Sequence, residues 1–496
     1  MLLRRATNLI TVTTCVRKCA TQTQSIRALL KHAASLVDKD VKVEGWVYRM
    51  RRFGKKLTFV RLTDGSCAEE VQVVINDKDT ASALHQGAPI QVHGRLVASP
   101  GPDQPIEITA RSVHVFGEKH KVVSSNVSAK ASLTSIQLRH AMHLRAKHAS
   151  FQSTLRIRQR MKHYIHQYLQ DRDFLQVDTP VLTANDCEGG SDVFNIDVAP
   201  STSRAGSDFD SAHFFGHPVF LTVSGQLHLE DITSAIARTY TFAPAFRAER
   251  NITKQHLAEF HMLEVEWAFA DSLDAVMDLC EHLIRSCVRH IRHNCVSDLQ
   301  LLKDARRSIH ETSDNEVEDG ADDDVTACLD NFLQPSAYPR ITHEQALQII
   351  ADSGRTFLHD ATRDGVLHKE HEWFLLEHYQ HRPLFITHFP SEHKPFYMKR
   401  SADGTKAECF DLLAPRSTEL CGGSLREDDY EALCARLDAM GVPAEKMQWY
   451  TSLRRTGYAP TAGFGLGFER FMQSSLGIIN VKDTLPFPRW WQHCLM

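Results

Sequence analysis

The chain has 496 residues, 42% of them hydrophobic and 24% charged, which is room for two or three domains with a substantial core. A net charge of −4 excludes nucleic-acid binding through the field of the whole protein, so any such partner needs a local basic patch. No run of about eighteen apolar residues suggests a membrane span, and twelve cysteines without a C-x-x-C pair argue against a zinc module.

Residues 1–37 contain no Asp or Glu but carry Arg4, Arg5, Arg17, Lys18, Arg27 and Lys31 among Thr, Ala and Leu. That composition is the one organelle transit peptides use, and the expectation is a mitochondrial leader over residues 1–30 and a mature protein in the matrix. Five short alternating runs follow: "VKVEGWVYRM", "KLTFVRLTDGS", "EVQVVIND", "PIQVHGRLV" and "IEITARSVHVF". Gly, Asp, Asn and Pro separate them, as in a small oligonucleotide-binding barrel, here spanning 38–118. Residues 119–150, basic and rich in histidine, read as a connector.

Apolar positions Leu155, Met161, Ile165, Tyr168 and Leu169 predict an amphipathic helix over 154–173. It ends near "FLQVDTPVL", where Pro180 forces Thr179 into an extended conformation. A second helix is predicted over 273–291, and Cys280 and Cys287 on it have the spacing of small core residues. The runs "VFLTVS", "TYTFAPAFRAE", "FHMLEVEWAF", "PLFITHF", "PFYMKR" and "CFDLLA" read as strands. So many strands without alternating crossover helices imply an α+β domain over 151–494, an antiparallel sheet flanked by helices. Residues 200–213, small and polar, and about 296–335, with the acidic run 311–324, read as insertions without chemistry.

Three segments carry chemistry. In "FRAERNITKQHLAEFHMLEVEW" a polar loop joins two strands: Arg247 suits a phosphate or carboxylate, and Phe260 offers a face to a base. Glu249 and His256 punctuate the loop. In "ECFDLLAPRSTELCGGSLRE", Asp411 and Glu419 flank a turn, and Gly422 and Gly423 allow close backbone approach. Paired carboxylates beside phosphate-binding arginines suit magnesium, which takes one or two carboxylates plus substrate phosphates. "GFGLGFER" lacks both the P-loop ending and the dinucleotide fingerprint. It places Arg470 at the start of a helix, and two arginines, two carboxylates and one aromatic compose an ATP site without a Walker loop.

These segments resemble the three signature motifs of class II aminoacyl-tRNA synthetases. The helix ending at "VDTPVL" is similar to the first, whose proline belongs to a dimer interface. "FRAE…F…E" is similar to the second and "GFGLGFER" to the third. "DCEGGSDVF", "VSGQLHLE", "FDLLAP…EL…GGSLRE" and "VKDTLPFPR" resemble the asparaginyl-tRNA synthetases, organellar type, over roughly residues 38–494. The resemblance implies ligation of L-asparagine to tRNA(Asn) through an asparaginyl-adenylate, with ATP as substrate, magnesium, and a homodimer. It places Arg247 on the α-phosphate and carboxylate, Glu249, His256 and Phe260 on ATP, and Arg470 on the γ-phosphate. Asp411 and Glu419 resemble the metal ligands. Glu188, Ser224, Gln226, Glu230 and Arg426 resemble the asparagine-binding set. Arg49, Arg51, Arg52, Phe59 and Gln72 resemble the anticodon-reading face of the barrel, where Phe59 would stack on a splayed base.

The related aspartyl enzymes carry a lysine where this chain has Leu229. Losing that charge beside Glu230 favours an amide that donates a hydrogen bond over a carboxylate. Ser452, Thr461 and Ala462 in "SLRR…PTAGFG" depart from the family pattern, and Lys254 and Gln255 replace a typical arginine pair. The competing readings are an aspartyl or dual-specificity enzyme and a non-catalytic RNA-binding paralogue.

Overall fold

The computed structural model describes residues 23–54, 57–77, 83–101, 104–117, 135–185, 192–196, 213–310, 324–455 and 457–496. The chain divides into two compact units, residues 1–132 and 133–496.

The first unit is a closed five-stranded barrel. Asp40–Phe53 pairs antiparallel with Leu57–Thr63, which pairs with Val71–Ile75. That strand lies parallel to Ile106–Val115, and Pro89–Ala98 closes the ring back to Asp40–Phe53. Alternation sends Val41, Val43, Val60, Leu62, Val73, Ile90 and Val92 inward, as the five sequence runs require. The barrel begins earlier than expected. Thr23–Gln24 pairs with Lys42 and Val43, and the helix Ile26–Lys31 drops Ile26 and Leu29, both fully buried, into the barrel core. Ser25 caps this helix by accepting from the Ala28 amide, a start signal that the acid-free composition hid. Residues 23–30, the end of the expected leader, therefore pack with the barrel. The rest of the expected leader, residues 1–22, lies outside the described residues.

The second unit is built on an eight-stranded sheet. Its order is Arg340–Thr342, Leu384–Thr387, Cys409–Ala414, Thr418–Leu425, Thr461–Gly467, Glu259–Ala268, Arg238–Phe246 and Leu175–Gln176. The five inner pairings are antiparallel and the outermost pair at each edge is parallel, so the sheet is mixed. Helices joining Arg340–Thr342 to Leu384–Thr387 supply the crossover that a parallel pair needs. The helices Ala149–Gln170 and Leu273–Asn294 cover one face, with Ile157, Met161, Ile165, Val276, Cys280, Ile284 and Cys287 in the shared core.

Two strand expectations fail. "VFLTVS" forms only the two-residue strand Phe220–Leu221, because Gly225 opens the helix Gln226–Thr233. "PFYMKR" makes only isolated bridges through Met398 and Arg400. Within the second expected insertion, Val296–His310 and Val325–Phe332 are helical, while 311–323 and the first insertion's 200–212 lie outside the described residues.

Candidate active site

The alternation in "GFGLGFE" is a strand facing two environments. Phe464, Leu466 and Phe468 enter the core under the helices, and the glycines line the opposite face of the sheet. On that open face the neighbouring strand presents Phe260, Met262, Glu264 and Glu266, register partners of Gly467, Gly465 and Gly463 for the last three. Bare backbone between polar neighbours makes a cleft floor.

At one end of the floor a cleft is lined by Arg247, Glu249, His256, Phe260, Glu419, Gly422, Gly465, Gly467 and Arg470. All six residues expected around ATP are therefore brought together. Arg247 leaves the strand Arg238–Phe246 with its guanidinium 5.8 Å from the Phe260 ring centre. Arg470 stands in the first turn of Phe468–Leu476 and donates to the Glu419 carbonyl at 2.8 Å. Its neighbour Glu469 is structural: buried, it accepts from Arg158 at 2.6 Å and from the His261 amide at 2.8 Å. Burial works to raise that carboxyl, but the bonds to His261 and the Arg158 charge outweigh it and hold it at about 2. The adjacent acid and base of the motif thus have separate duties.

Asp411 and Glu419 meet over Gly422. A Cβ on that glycine would stand 3.6 Å from Asp411 Oδ1 and 3.7 Å from Glu419 Oε1. Period-two alternation alone would put Glu419 and Gly422, three apart, on opposite faces. The register shifts between Leu412 and Leu413, which face Cys421 and Glu419, and this bulge at Leu420 rotates Glu419 into the cleft. Burial raises the Asp411 carboxyl, opposed by Lys394 at 2.6 Å. Burial likewise works against Glu419 ionising, but Arg470, Lys394, Arg247 and Lys369 together keep it below its usual range. A third carboxyl, Glu372, is pushed up to about 7 by burial and by the charges of Glu419 and Asp411. Such mutual repulsion, beside Arg247 and Arg470, is of the kind that a magnesium ion would relieve, since it takes one or two carboxylates plus phosphate oxygens. Among the described residues no group of three His, Cys, Asp or Glu is arranged to hold a metal unaided.

The floor's other end carries a buried ionic cluster. Arg426 binds Glu266 at two points, Nε to Oε1 3.0 Å and Nη2 to Oε2 2.8 Å. Glu230 Oε2 accepts from Arg454 at 2.9 Å, Tyr450 at 2.6 Å and Tyr458 at 3.2 Å. Glu230 Oε1 accepts from Gln226 at 3.0 Å, with Arg426 Nε 3.7 Å away. Ser224 donates to Glu264, whose other oxygen takes the Gly225 amide at 2.8 Å. Gln226 and Glu230, four apart, share one face of the helix Gln226–Thr233. Two carboxylates thus face two guanidiniums, and the substituted Thr461 joins them through Tyr458 at 2.7 Å. The expected residues Ser224, Gln226, Glu230 and Arg426 converge here; Glu188 lies outside the described residues.

Sequence reasoning missed Lys394, Glu372, Glu264, Glu266, Tyr450, Arg454 and Tyr458. Glu264 and Glu266 were findable, since they continue the cleft-facing alternation of Phe260 and Met262.

In the barrel, register aligns Arg49, Arg61 and Gln72 in one row and Arg51, Phe59 and Val74 in the next. Phe59 lies half-buried on the outer surface between the inward Thr58 and Val60. Arg49, Arg51 and Arg52 are exposed, and Gln72 donates to Glu107 at 2.8 Å. Arg61, two residues beyond Phe59, extends the basic face.

Residues 134–491 match the family described as class II tRNA synthetases (D, K and N), and residues 41–116 match the OB-fold nucleic acid binding domain. An asparagine–tRNA ligase of Oleidesulfovibrio alaskensis is 36% identical over 468 residues, covering 93% of this chain and 97% of its own. The asparaginyl-tRNA synthetase of Mus musculus is 36% identical over 465 residues, 92% of this chain and 91% of its own. The crystal structure of asparaginyl-tRNA synthetase from Pyrococcus horikoshii complexed with asparaginyl-adenylate matches with a TM-score of 0.75 and 26% identity, covering 92% of this chain and 96% of that one.

Proposed function

The chain belongs to the class II tRNA synthetases of the aspartate, lysine and asparagine group, and on that premise we propose that it is an asparagine–tRNA ligase supporting mitochondrial translation. One observation carries the amino-acid choice: in the ionic cluster at the end of the floor both guanidiniums are already paired, Arg426 with Glu266 and Arg454 with Glu230. A neutral side-chain amide adds no charge to it. A substrate carboxylate would enter a desolvated pocket with no surplus cation.

The asparagine carboxylate attacks the α-phosphorus of ATP, a P–O bond forms, the bond to the β-phosphate oxygen breaks, and pyrophosphate leaves. The 3′-hydroxyl of tRNA(Asn) then attacks the acyl carbon and AMP departs. No side chain acts as nucleophile. Arg247 and Arg470 position the polyphosphate and offset developing charge, Phe260 stacks on the base, and Glu230 and Arg426 hold the amide end. Bound magnesium, held by Asp411 and Glu419, would supply charge neutralisation on the phosphates.

Matrix targeting is supported by Arg4, Arg5, Arg17 and Lys18 in an acid-free segment ahead of the barrel. Homodimer assembly is supported by the edge strand Leu175–Gln176, which leaves Leu175, Pro180 and Leu182 exposed. No helix among the described residues is long and apolar enough to cross a membrane. The test is ATP–pyrophosphate exchange with asparagine and aspartate in parallel, on protein beginning at Thr23 so that Ile26 and Leu29 remain. Exchange with asparagine alone supports the reading; exchange with aspartate alone, or with neither, overturns it.

A further inference from the structure

The loop that follows Arg247 has an electrostatic gap. At the positions of Lys254 and Gln255 the resemblance leads one to expect an arginine pair, and Gln255, which lines the cleft beside His256, carries no charge. Its side chain is nevertheless occupied at both ends. Gln255 Nε2 donates to the Arg416 carbonyl at 2.7 Å, and Gln255 Oε1 accepts from Lys369 Nζ at 2.9 Å.

Lys369 comes from a different part of the chain, the first residue of the helix Lys369–His378. Its ammonium interacts with the charges of Arg470, Glu372, Glu249 and Glu419, and its own charge acts on His256. All of these belong to the cleft or to the carboxylate cluster beside it. The placement runs against helix electrostatics, since a cation in the first turn is opposed by the macrodipole unless an anion lies nearby. The helix is also firmly anchored. Glu370 accepts from the Leu358 amide at 2.8 Å and the His359 amide at 2.7 Å, the buried His371 ring reaches the His359 carbonyl at 3.1 Å, and Leu375 and Leu376 are fully buried. Lys369 therefore presents its ammonium from a firmly anchored helix, held on the side chain that stands where the resemblance leads one to expect an arginine.

We propose that Lys369 is a phosphate-contacting residue of this chain, supplying to the outer phosphates of the nucleoside triphosphate the charge that Gln255 lacks. The inference rests on the ATP-dependent reading of the site. When the triphosphate enters, the ammonium exchanges the Gln255 oxygen for a phosphate oxygen, and Gln255 keeps its bond to Arg416.

The test compares the unaltered protein with Lys369→Gln, Lys369→Arg, and Lys369→Gln combined with Gln255→Arg. Binding of magnesium-ATP and of AMP is measured by calorimetry, and exchange kinetics separate the KM for ATP from that for asparagine. Lys369→Gln should weaken ATP by about tenfold or more, as loss of a charge-assisted bond does, and leave AMP and the KM for asparagine unchanged. Lys369→Arg should retain most of the affinity, and Gln255→Arg should restore it in the Lys369→Gln background. Equal weakening of ATP and AMP, or no weakening of ATP, overturns the proposal. Should the unaltered protein show no amino-acid-dependent exchange, the ligase reading fails, and the comparison of ATP with AMP still decides the role of Lys369.

Discussion

Arg426 and Glu266 form a two-point ion pair against the backbone of Gly463, and the pair is almost wholly buried. A Cβ at Gly463 would collide with Glu266 Oε2, with the Val265 carbonyl and with Arg426 Nη2. The carbonyl belongs to the adjacent strand and cannot move aside. Gly463→Ala should therefore displace the pair and lower asparagine-dependent exchange by about a hundredfold, the scale of a small misplacement of a substrate-positioning group. ATP binding at the other end of the floor should change little. Near-normal exchange in this variant would mean that the pair does not position the amide.

Glu230 sets the charge of the pocket. Glu230→Gln keeps the shape but leaves two guanidiniums facing one carboxylate. Asparagine activation should fall, and activation of aspartate relative to asparagine should rise, because the pocket now has a surplus positive charge. Parallel exchange assays measure the ratio; an unchanged ratio would remove Glu230 from amide recognition.

His256 is neutral at physiological pH. Burial, with the charges of Lys369 and Arg470, lowers it from 6.5 to about 4. Between those values the unfolded chain binds the proton and the folded one does not. The stability this contributes is thus fully present above pH 6.5 and is lost as pH falls toward 4. Replacing His256 with Asn should make urea midpoints fall less steeply across that window. Parallel pH profiles for the two proteins would contradict the assignment.

Phe59 and Arg51 are register partners on the barrel surface. Phe59→Ala should raise the KM for tRNA in aminoacylation by about tenfold or more, the scale of one lost base stack, and leave ATP–pyrophosphate exchange intact. A matched loss in both assays would point to misfolding of the barrel instead of a lost contact with RNA.

Local rules carried much of this protein in its linear order. Alternation of Val, Ile and Leu sufficed for the barrel strands, because a half-buried strand imposes period two on its own residues. The motif-bearing segments named Arg247, Glu249, His256, Phe260, Glu419 and Arg470, which the fold brings to one cleft. Helix patterns placed Ala149–Gln170 and Leu273–Asn294 to within a few residues, since an amphipathic stripe is written in one stretch. Composition failed where two signals overlapped: the acid-free run continued through Ile26 and Leu29, which the barrel core claims.

What the sequence determined by itself was which elements form and which polar residues stand on them. Tertiary structure alone decided which of those residues meet. Glu230 and Arg454 pair across 224 positions of chain, and Lys369 reaches Gln255 across 114; no periodicity spans such gaps, because sheet register and helix docking set them. The bulge at Leu420 is the sharpest case. One extra residue turns Glu419 from the core face to the cleft beside Asp411, and nothing in "TELCGG" read alone reveals that the pairing slips there. Side-chain direction in a strand is fixed by the partner strand's register, and that register exists only once the sheet has formed.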